Sequence, residues 1–267
     1  MVRDLAEVRS VAVELACAAG RLQVERRVTG LVHRVKAHAN DLVSDVDLAS
    51  EALIADGVRA RWPDDGLIAE EGASASGSSG WTWVIDPLDG TRNYLTGAGP
   101  WSVSIALVQG QSTRLAVVHD PVAGEVFSAI AGAGAALGDE PLSGSECARL
   151  AEAIVGLSFN PSLAAKRRMG QLIPTVLPAV GDIRRIPAAL HLCYLAAGRF
   201  DAGVLLDTRH WDIAAGLLVA AEAGVSLAGG SGASPTPDFT VAAAPGLWPE
   251  FSALVSSAAL PPPASSA

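Results

Sequence analysis

The sequence predicts a mixed α/β protein, α+β by sheet type, built as two unlike halves. Three observations carry this. The first half opens with two helix-period segments and then runs several strands in succession, the pattern of an antiparallel-rich sheet flanked by helices. The second half alternates strand and helix, and its strands are almost continuously apolar, as buried α/β strands are. The 267 residues are 50% hydrophobic and 18% charged, too apolar for a disordered or collagen-like chain. A chain of this length buries roughly 75% of its unfolded surface, so no disulfide or structural metal is required.

Residues 4–27 form an amphipathic helix, with Leu5, Val8, Ala12, Leu15, Ala19 and Leu22 at three- and four-residue steps. A short stretch over 28–36 turns at Gly30. Ser44 caps a second helix whose apolar set is Leu48, Ala52, Leu53 and Val58, and Trp62-Pro63-Asp64-Asp65-Gly66 ends it. Residues 67–69 are a short strand leading into Glu70 and Glu71, and 73–80 (ASASGSSG) are a loop mobile by composition. Strands follow at 81–85, 103–108, 114–119 and 126–130. In the second half, strands at 154–158, 183–186 and 201–206 alternate with helices within 161–177, at 187–197 with Pro187 at the first position, and at 211–223 ahead of Gly224. Small and polar residues over 138–145 mark a weak boundary. The expected organisation is a half over 1–142, a half over 143–258 and a disordered tail at 259–267.

Acidic residues outnumber basic ones 28 to 19, a formal charge of −9, which argues against a general nucleic-acid partner. A phosphate-bearing ligand would be repelled unless cations intervene. Cys17, Cys147 and Cys193 are odd in number and form no CxxC pair, so neither a zinc knuckle nor a disulfide framework is supported. The N-terminus has an early acid, Asp4, and no signal-type apolar core. No apolar run reaches the ~18 residues of a membrane span. A soluble, cytoplasmic protein with no membrane partner is expected.

The most informative stretch is Trp83-Val84-Ile85-Asp86-Pro87-Leu88-Asp89-Gly90-Thr91. Two carboxylates stand three residues apart where an apolar strand runs out, Pro87 fixes a torsion between them, and Gly90 permits a tight turn. Both side chains and the Leu88 carbonyl are able to converge on one point, an all-oxygen set that suits Mg²⁺. The amides of Gly90 and Thr91 would point outward, as in anion-binding nests. An ordinary Asx turn with two solvated aspartates reads the same way in isolation. An aspartyl-phosphate mechanism would want a further Asp where Pro87 stands, so that reading fails. Glu70 and Glu71 end a strand and could face the same site; Asp45, Asp47 and Asp212 lie at helix starts, where acids also offset the macrodipole.

Asp41-Leu42-Val43-Ser44-Asp45-Val46-Asp47, Ala69-Glu70-Glu71-Gly72, residues 83–94 and Trp211-Asp212-Ile213-Ala214-Ala215-Gly216 together resemble the four signature segments of the inositol monophosphatase family, over roughly residues 5–255. The resemblance implies a layered α-β-α-β-α sandwich of the inositol monophosphatase and fructose-1,6-bisphosphatase type, and a Mg²⁺-dependent, lithium-sensitive phosphomonoesterase using two or three ions. It implies Glu70, Asp86 and the Leu88 carbonyl as ligands of one metal, and Asp86, Asp89 and Asp212 as ligands of a second. A third ion would lean on Glu70. Thr91 with Asp47 would orient and deprotonate the attacking water, and the Gly90 and Thr91 amides would hold phosphate oxygens. The implied substrate is a small phosphorylated alcohol, by default inositol 1-phosphate or a related cyclitol or sugar phosphate. Histidinol phosphate and 3′-phosphoadenosine phosphate stay open, as does a non-catalytic partner role on the same fold. Family members often form homodimers, and nothing in the residues locates an interface.

Two positions depart from the family's inositol-hydrolysing pattern. Leu205 stands where such members typically carry a glutamate, and Ile186-Pro187-Ala188-Ala189 replaces a Gly-Ser/Thr-Ala-Ala run. Both changes remove polar groups from the expected alcohol pocket. Asp207, Arg209 or His210 could contact the leaving group instead, or be plain loop polarity. Lys36 matches a family lysine near the site, or is an exposed charge at a strand end. His33, His38, His119 and His191 lack metal-ligand spacing and read as structural or exposed, and Trp211 is expected to pack beneath Asp212.

Overall fold

A computed structural model describes residues 3–29, 33–35, 42–258 and 260. Lys36, His38, Asp41, the side chain of His33 and the expected tail, apart from Leu260, lie outside the described residues. The chain opens with α1 (Leu5–Thr29), begun by Asp4, whose Oδ1 accepts from the Ala6 amide at 2.9 Å. The antiparallel pair β1 (His33–Val35) and β2 (Leu42–Ser44) leads into α2 (Asp45–Arg61). Next come β3 (Gly66–Ala69), β4 (Trp81–Asp89), α3 (Thr91–Thr96), β5 (Ser102–Gln109) and β6 (Ser112–Asp120). The first sheet closes with β7 (Glu125–Ile130), β8 (Gly134–Leu137) and β9 (Glu140–Pro141). Its strands lie in sequence order, β3 parallel to β4 and every other neighbour antiparallel.

The second sheet and its helices are β10 (Ile154–Phe159), α4 (Leu163–Val176), β11 (Asp182–Arg185), α5 (Ala188–Ala196) and β12 (Ala202–Leu206). They continue with α6 (His210–Glu222), β13 (Ser226–Ala228), β14 (Phe239–Ala243) and α7 (Trp248–Ser257). Strand order is β11-β10-β12-β14-β13, parallel across the first three. Four core clusters define the layers. Val8, Ala12 and Ala16 of α1 and Ile54 and Val58 of α2 pack on Trp83, Ile85 and Ile105 of one sheet face. Val84, Ala106 and Val118 of the opposite face pack on Ala189, Cys193, Ala215 and Val219 of α5 and α6. The other sides of α5 and α6 cover the second sheet, and α4 and α7 cover its outer face. The result is an α-β-α-β-α sandwich. Helices α5 and α6 are apolar on nearly all sides because each lies between two sheets.

The structure extends most expected elements by a residue or two. Pro187 is the N-cap of α5, one position before the first helical residue expected of it. β2, α3, β8, β9, β13, β14 and α7 have no sequence counterpart: β2, β8, β9 and β13 are runs of two to four residues, and α7 starts at Trp248-Pro249 without a polar cap. Residues 73–80 fold back on β3 through paired Leu67–Ala75 backbone bonds of 2.8 and 2.9 Å. Among the described residues no helix is long and apolar enough to cross a membrane.

Asp65 ties the chain start to the first sheet. Arg3 Nη1 and Nη2 donate to it at 2.6 and 2.9 Å, Ser79 Oγ at 2.7 Å and Trp83 Nε1 at 2.9 Å. Burial raises this carboxyl's pKa, but the four donors outweigh burial and hold it below the usual carboxylate range. A depressed carboxyl contributes stability above its unfolded pKa of ~3.9 and loses it as pH falls through the lower folded value. Asp65→Asn is therefore expected to cost about 3 kcal/mol at pH 7, with a narrower gap from wild type at pH 3. Urea unfolding at both pH values checks this; an equal gap at both would remove charge from the explanation.

Candidate active site

Side chains alternate along β4, so Trp83 and Ile85 face α1 and α2 while Val84 and Asp86 face α5 and α6. Strict alternation would send Asp89 to the opposite face. The register prevents it: Asp86 pairs with Ser104 and Asp89 with Ser102, so three steps on β4 match two on β5. This bulge turns both carboxylates toward the middle layer. There Asp212 sits in the first turn of α6, one Oδ accepting from the Arg209 amide at 2.8 Å. Glu70 follows β3, the parallel neighbour of β4, with its amide bonded to the Ile85 carbonyl at 3.2 Å. Glu70, Asp86, Asp89 and Asp212 line one cavity of about 370 Å³, with Leu88, Gly90 and Thr91 beside them.

Two buried residues that the sequence did not single out hold this arrangement. Glu51 of α2 accepts from the amides of Glu71 at 2.7 Å and Ala73 at 2.8 Å, fixing the turn that carries Glu70. Gln23 of α1 donates to the Pro87 carbonyl at 2.7 Å, while its Oε1 accepts from Trp101 Nε1 at 3.0 Å. A buried Gln inside the α1 apolar stripe was the available signal, since a buried amide must find partners.

Ser44 and Asp47 form a capping box: the Ser44 amide donates to Asp47 Oδ2 at 2.9 Å and the Asp47 amide to Ser44 Oγ at 3.3 Å. The cap leaves Oδ1 to accept from Thr91 Oγ1 at 2.9 Å. Asp47 is fully buried behind Thr91 and touches the cavity only through it. Gly90, at φ 99°, starts α3 in the left-handed region, and a Cβ there would stand 2.7 Å from Pro187 Cγ. Pro187 in turn begins α5, whose Ala189 amide donates to Asp89 Oδ2 at 2.8 Å.

The charges are crowded. Burial, then the charges of Glu70, Asp89 and Asp212, push the Asp86 carboxyl well above its ordinary value. Burial and the Asp89 charge do the same to Asp212. Burial lifts Asp89 to about 7, although the Ala189 amide and Arg185 pull against it. Burial also raises Asp47 despite the bonds from Ser44 and Thr91. Among the described residues, no three His, Cys, Asp or Glu side chains already stand arranged as a metal-ligand group. Asp86 lies beside Glu70 and accepts from the Leu88 amide at 3.0 Å, and Asp89 and Asp212 are anchored by backbone amides. The donor set is nonetheless all oxygen and strongly anionic, the chemistry that suits Mg²⁺.

The family model for the inositol monophosphatase family matches residues 4–258, nearly the whole chain. The chain belongs to the inositol monophosphatase family. It is 38% identical to an inositol-1-monophosphatase named SuhB from Mycobacterium tuberculosis over 272 residues, covering 92% of both chains. It is 37% identical to a protein named Nus factor SuhB from Haemophilus influenzae, covering 80% of this chain and 82% of that one. The solved structure of extragenic suppressor protein suhB from Bartonella henselae superposes with a TM-score of 0.87 at 30% identity, covering 93% of this chain and 98% of that one.

Among inositol monophosphatase family positions, the departures noted in the sequence fall differently in space. Ile186 and Pro187 line the cavity. Leu205 does not; it is fully buried among Leu192, Ile213 and Ala242, so the expectation that it faces an alcohol pocket is corrected by its packing. Asp207 adopts φ 51° and forms an ion pair with the buried Arg168, which turns it from the cavity. Arg209 lines the cavity, whereas His210 does not. His191 is fully buried, its Nδ1 2.9 Å from Ser158 Oγ, and burial lowers its pKa to about 3, so it is a neutral core residue. His119 is also buried, with Nδ1 3.0 Å from the Glu125 carbonyl. Trp211 lines the cavity beside Asp212, its carbonyl accepting from Ser104 Oγ at 3.3 Å.

Proposed function

We propose that the protein hydrolyses a small phosphate monoester with Mg²⁺, by default inositol 1-phosphate or a related cyclitol or sugar phosphate. The observation that carries this reading is the meeting of four carboxylates from three separate segments in one cavity, next to the start of α3. Glu70, Asp86 and the Leu88 carbonyl would hold one ion, and Asp86, Asp89 and Asp212 a second; a third would lean on Glu70. Bound magnesium supplies positive charge that offsets the carboxylates, draws electron density from the phosphoryl group and acidifies water.

The chain's own groups do the rest. Thr91 gives its hydroxyl proton to Asp47 and so offers its oxygen lone pair to a water proton, orienting that water toward phosphorus. Asp47, whose pKa burial has raised, accepts the proton through Thr91. The amides of Gly90 and Thr91 take phosphate oxygens. Lithium sensitivity and a reducing, cytoplasmic setting complete the reading, the latter supported by three free cysteines.

Phosphate release from an aryl phosphate is expected with Mg²⁺ and is expected to vanish with a chelator; chelator-resistant turnover would overturn the reading. Glu51→Ala is expected to lower kcat about tenfold and to raise the Mg²⁺ concentration for half-maximal rate, because the Glu70 turn loses both anchors. A Mg²⁺ titration of the rate measures both. A second reading, a non-catalytic partner role, is favoured by relatives named Nus factor SuhB. Absence of turnover on any ester in saturating Mg²⁺ would favour it.

A further inference from the structure

The cavity carries basic as well as acidic side chains. Glu70, Asp86 and Asp89 come from the first half of the chain, and Asp212 from the second, in the first turn of α6. The ends of β10 and β11 and the segment before α6 bring Arg185 and Arg209 to the same cavity, where their charges act on Asp89 and Asp212 respectively. Arg185 ends β11, and its guanidinium lies over the Phe159 ring, 4.4 Å from the centroid, a platform that fixes its direction. Arg92, second residue of α3, lines the same cavity close enough for its charge to act on Arg185. The one acid in the segment before α6, Asp207, is taken by Arg168. Leu205 is buried in the core, and Pro187 adds neither a hydroxyl nor an N–H. Beside Ser158, Asn160 and Thr208, this part of the cavity therefore offers two guanidinium groups to a substituent of the substrate.

We propose that the preferred substrate is a phosphate monoester whose alcohol part carries a second anionic group, phosphate-like or carboxylate, bound by Arg185 and Arg209. This rests on the phosphatase reading and narrows its substrate class. Guanidinium forks bind such groups through paired, charge-assisted hydrogen bonds, and one good pair discriminates by about tenfold or more against a neutral analogue. In a chain of formal charge −9, two or three arginines lining one cavity also add the local positive field that draws such a dianion inward.

Four esters with the same scissile group test it: propyl, 3-hydroxypropyl, 3-carboxypropyl and 3-phosphonopropyl phosphate, the phosphonate being uncleavable. The expected result is a kcat/KM at least about tenfold higher for the carboxyl or phosphono ester than for the hydroxyl ester, carried mainly in KM and shrinking as salt rises. That ratio should fall toward one in Arg185→Gln, fall in Arg209→Gln, and be partly kept in Arg185→Lys. Which anionic ester leads identifies the group. A wild-type ratio at or below one, or a ratio unchanged in both glutamine variants, overturns the proposal while leaving the phosphatase reading in place. No phosphate release from any ester would instead remove the phosphatase reading, and this proposal with it.

Discussion

Asp86→Asn is expected to lower Mg²⁺-dependent phosphate release by at least about 10³-fold without unfolding the protein. Asp86 is the one carboxylate that belongs to both proposed ion sites, and it is buried at the centre of the crowd formed by Glu70, Asp89 and Asp212. An amide of the same shape keeps a carbonyl oxygen able to accept the Leu88 amide, so the turn through Pro87 should survive. It also removes one of several like charges, which favours the metal-free fold. The variant should therefore unfold at a temperature equal to or above that of wild type while losing its turnover. Thermal unfolding in chelator, paired with phosphate release in Mg²⁺, reads both quantities. Retained turnover would mean that Asp86 does not hold the ions; lost turnover with a melted fold would mean that its role is structural.

Gly90→Ala is expected to damage stability and turnover together. The residue sits at φ 99°, where a side chain is strained, and the new Cβ would meet Pro187 Cγ at 2.7 Å. Backbone strain alone costs about 1–3 kcal/mol. The only relief is to separate the start of α3 from the start of α5. Those two points carry the Thr91 hydroxyl and the Ala189 amide that anchors Asp89, so a shift of about 1 Å there costs on the order of 10²-fold in rate. Urea unfolding and kcat/KM on the same preparation measure the pair. A variant with normal turnover would show that the contact between the two halves does not set the site.

Much of this was legible in the residues because it is local. Ser44 with Asp47 three residues on announces a capped helix, and the cap geometry then fixes where Asp47 points. Asp-Pro-Leu-Asp-Gly-Thr announces a turn with two carboxylates on an apolar strand. The bulge that brings Asp86 and Asp89 to one face was not legible, because it depends on which residues of β5 stand opposite. The seven elements without sequence counterparts are short or poorly capped, and tertiary packing rather than propensity supports them. Leu205 shows the limit of reading a site by position along the chain. Its place relative to Asp212 pointed to a pocket, yet a leucine on a buried strand turns into the core between β12 and α6. Gln23 and Glu51 went unnoticed for a related reason: each serves a site more than a dozen residues away, and only the fold shows which backbone groups they satisfy.

The central claim is that four carboxylates from three segments share divalent ions in the cavity between the two sheets. A crystal grown in Mn²⁺, with anomalous scattering measured at the manganese edge, tests it most directly. The account predicts anomalous peaks inside the cavity, one between Glu70, Asp86 and the Leu88 carbonyl and one between Asp86, Asp89 and Asp212. Peaks confined to the protein surface at saturating Mn²⁺ would contradict it.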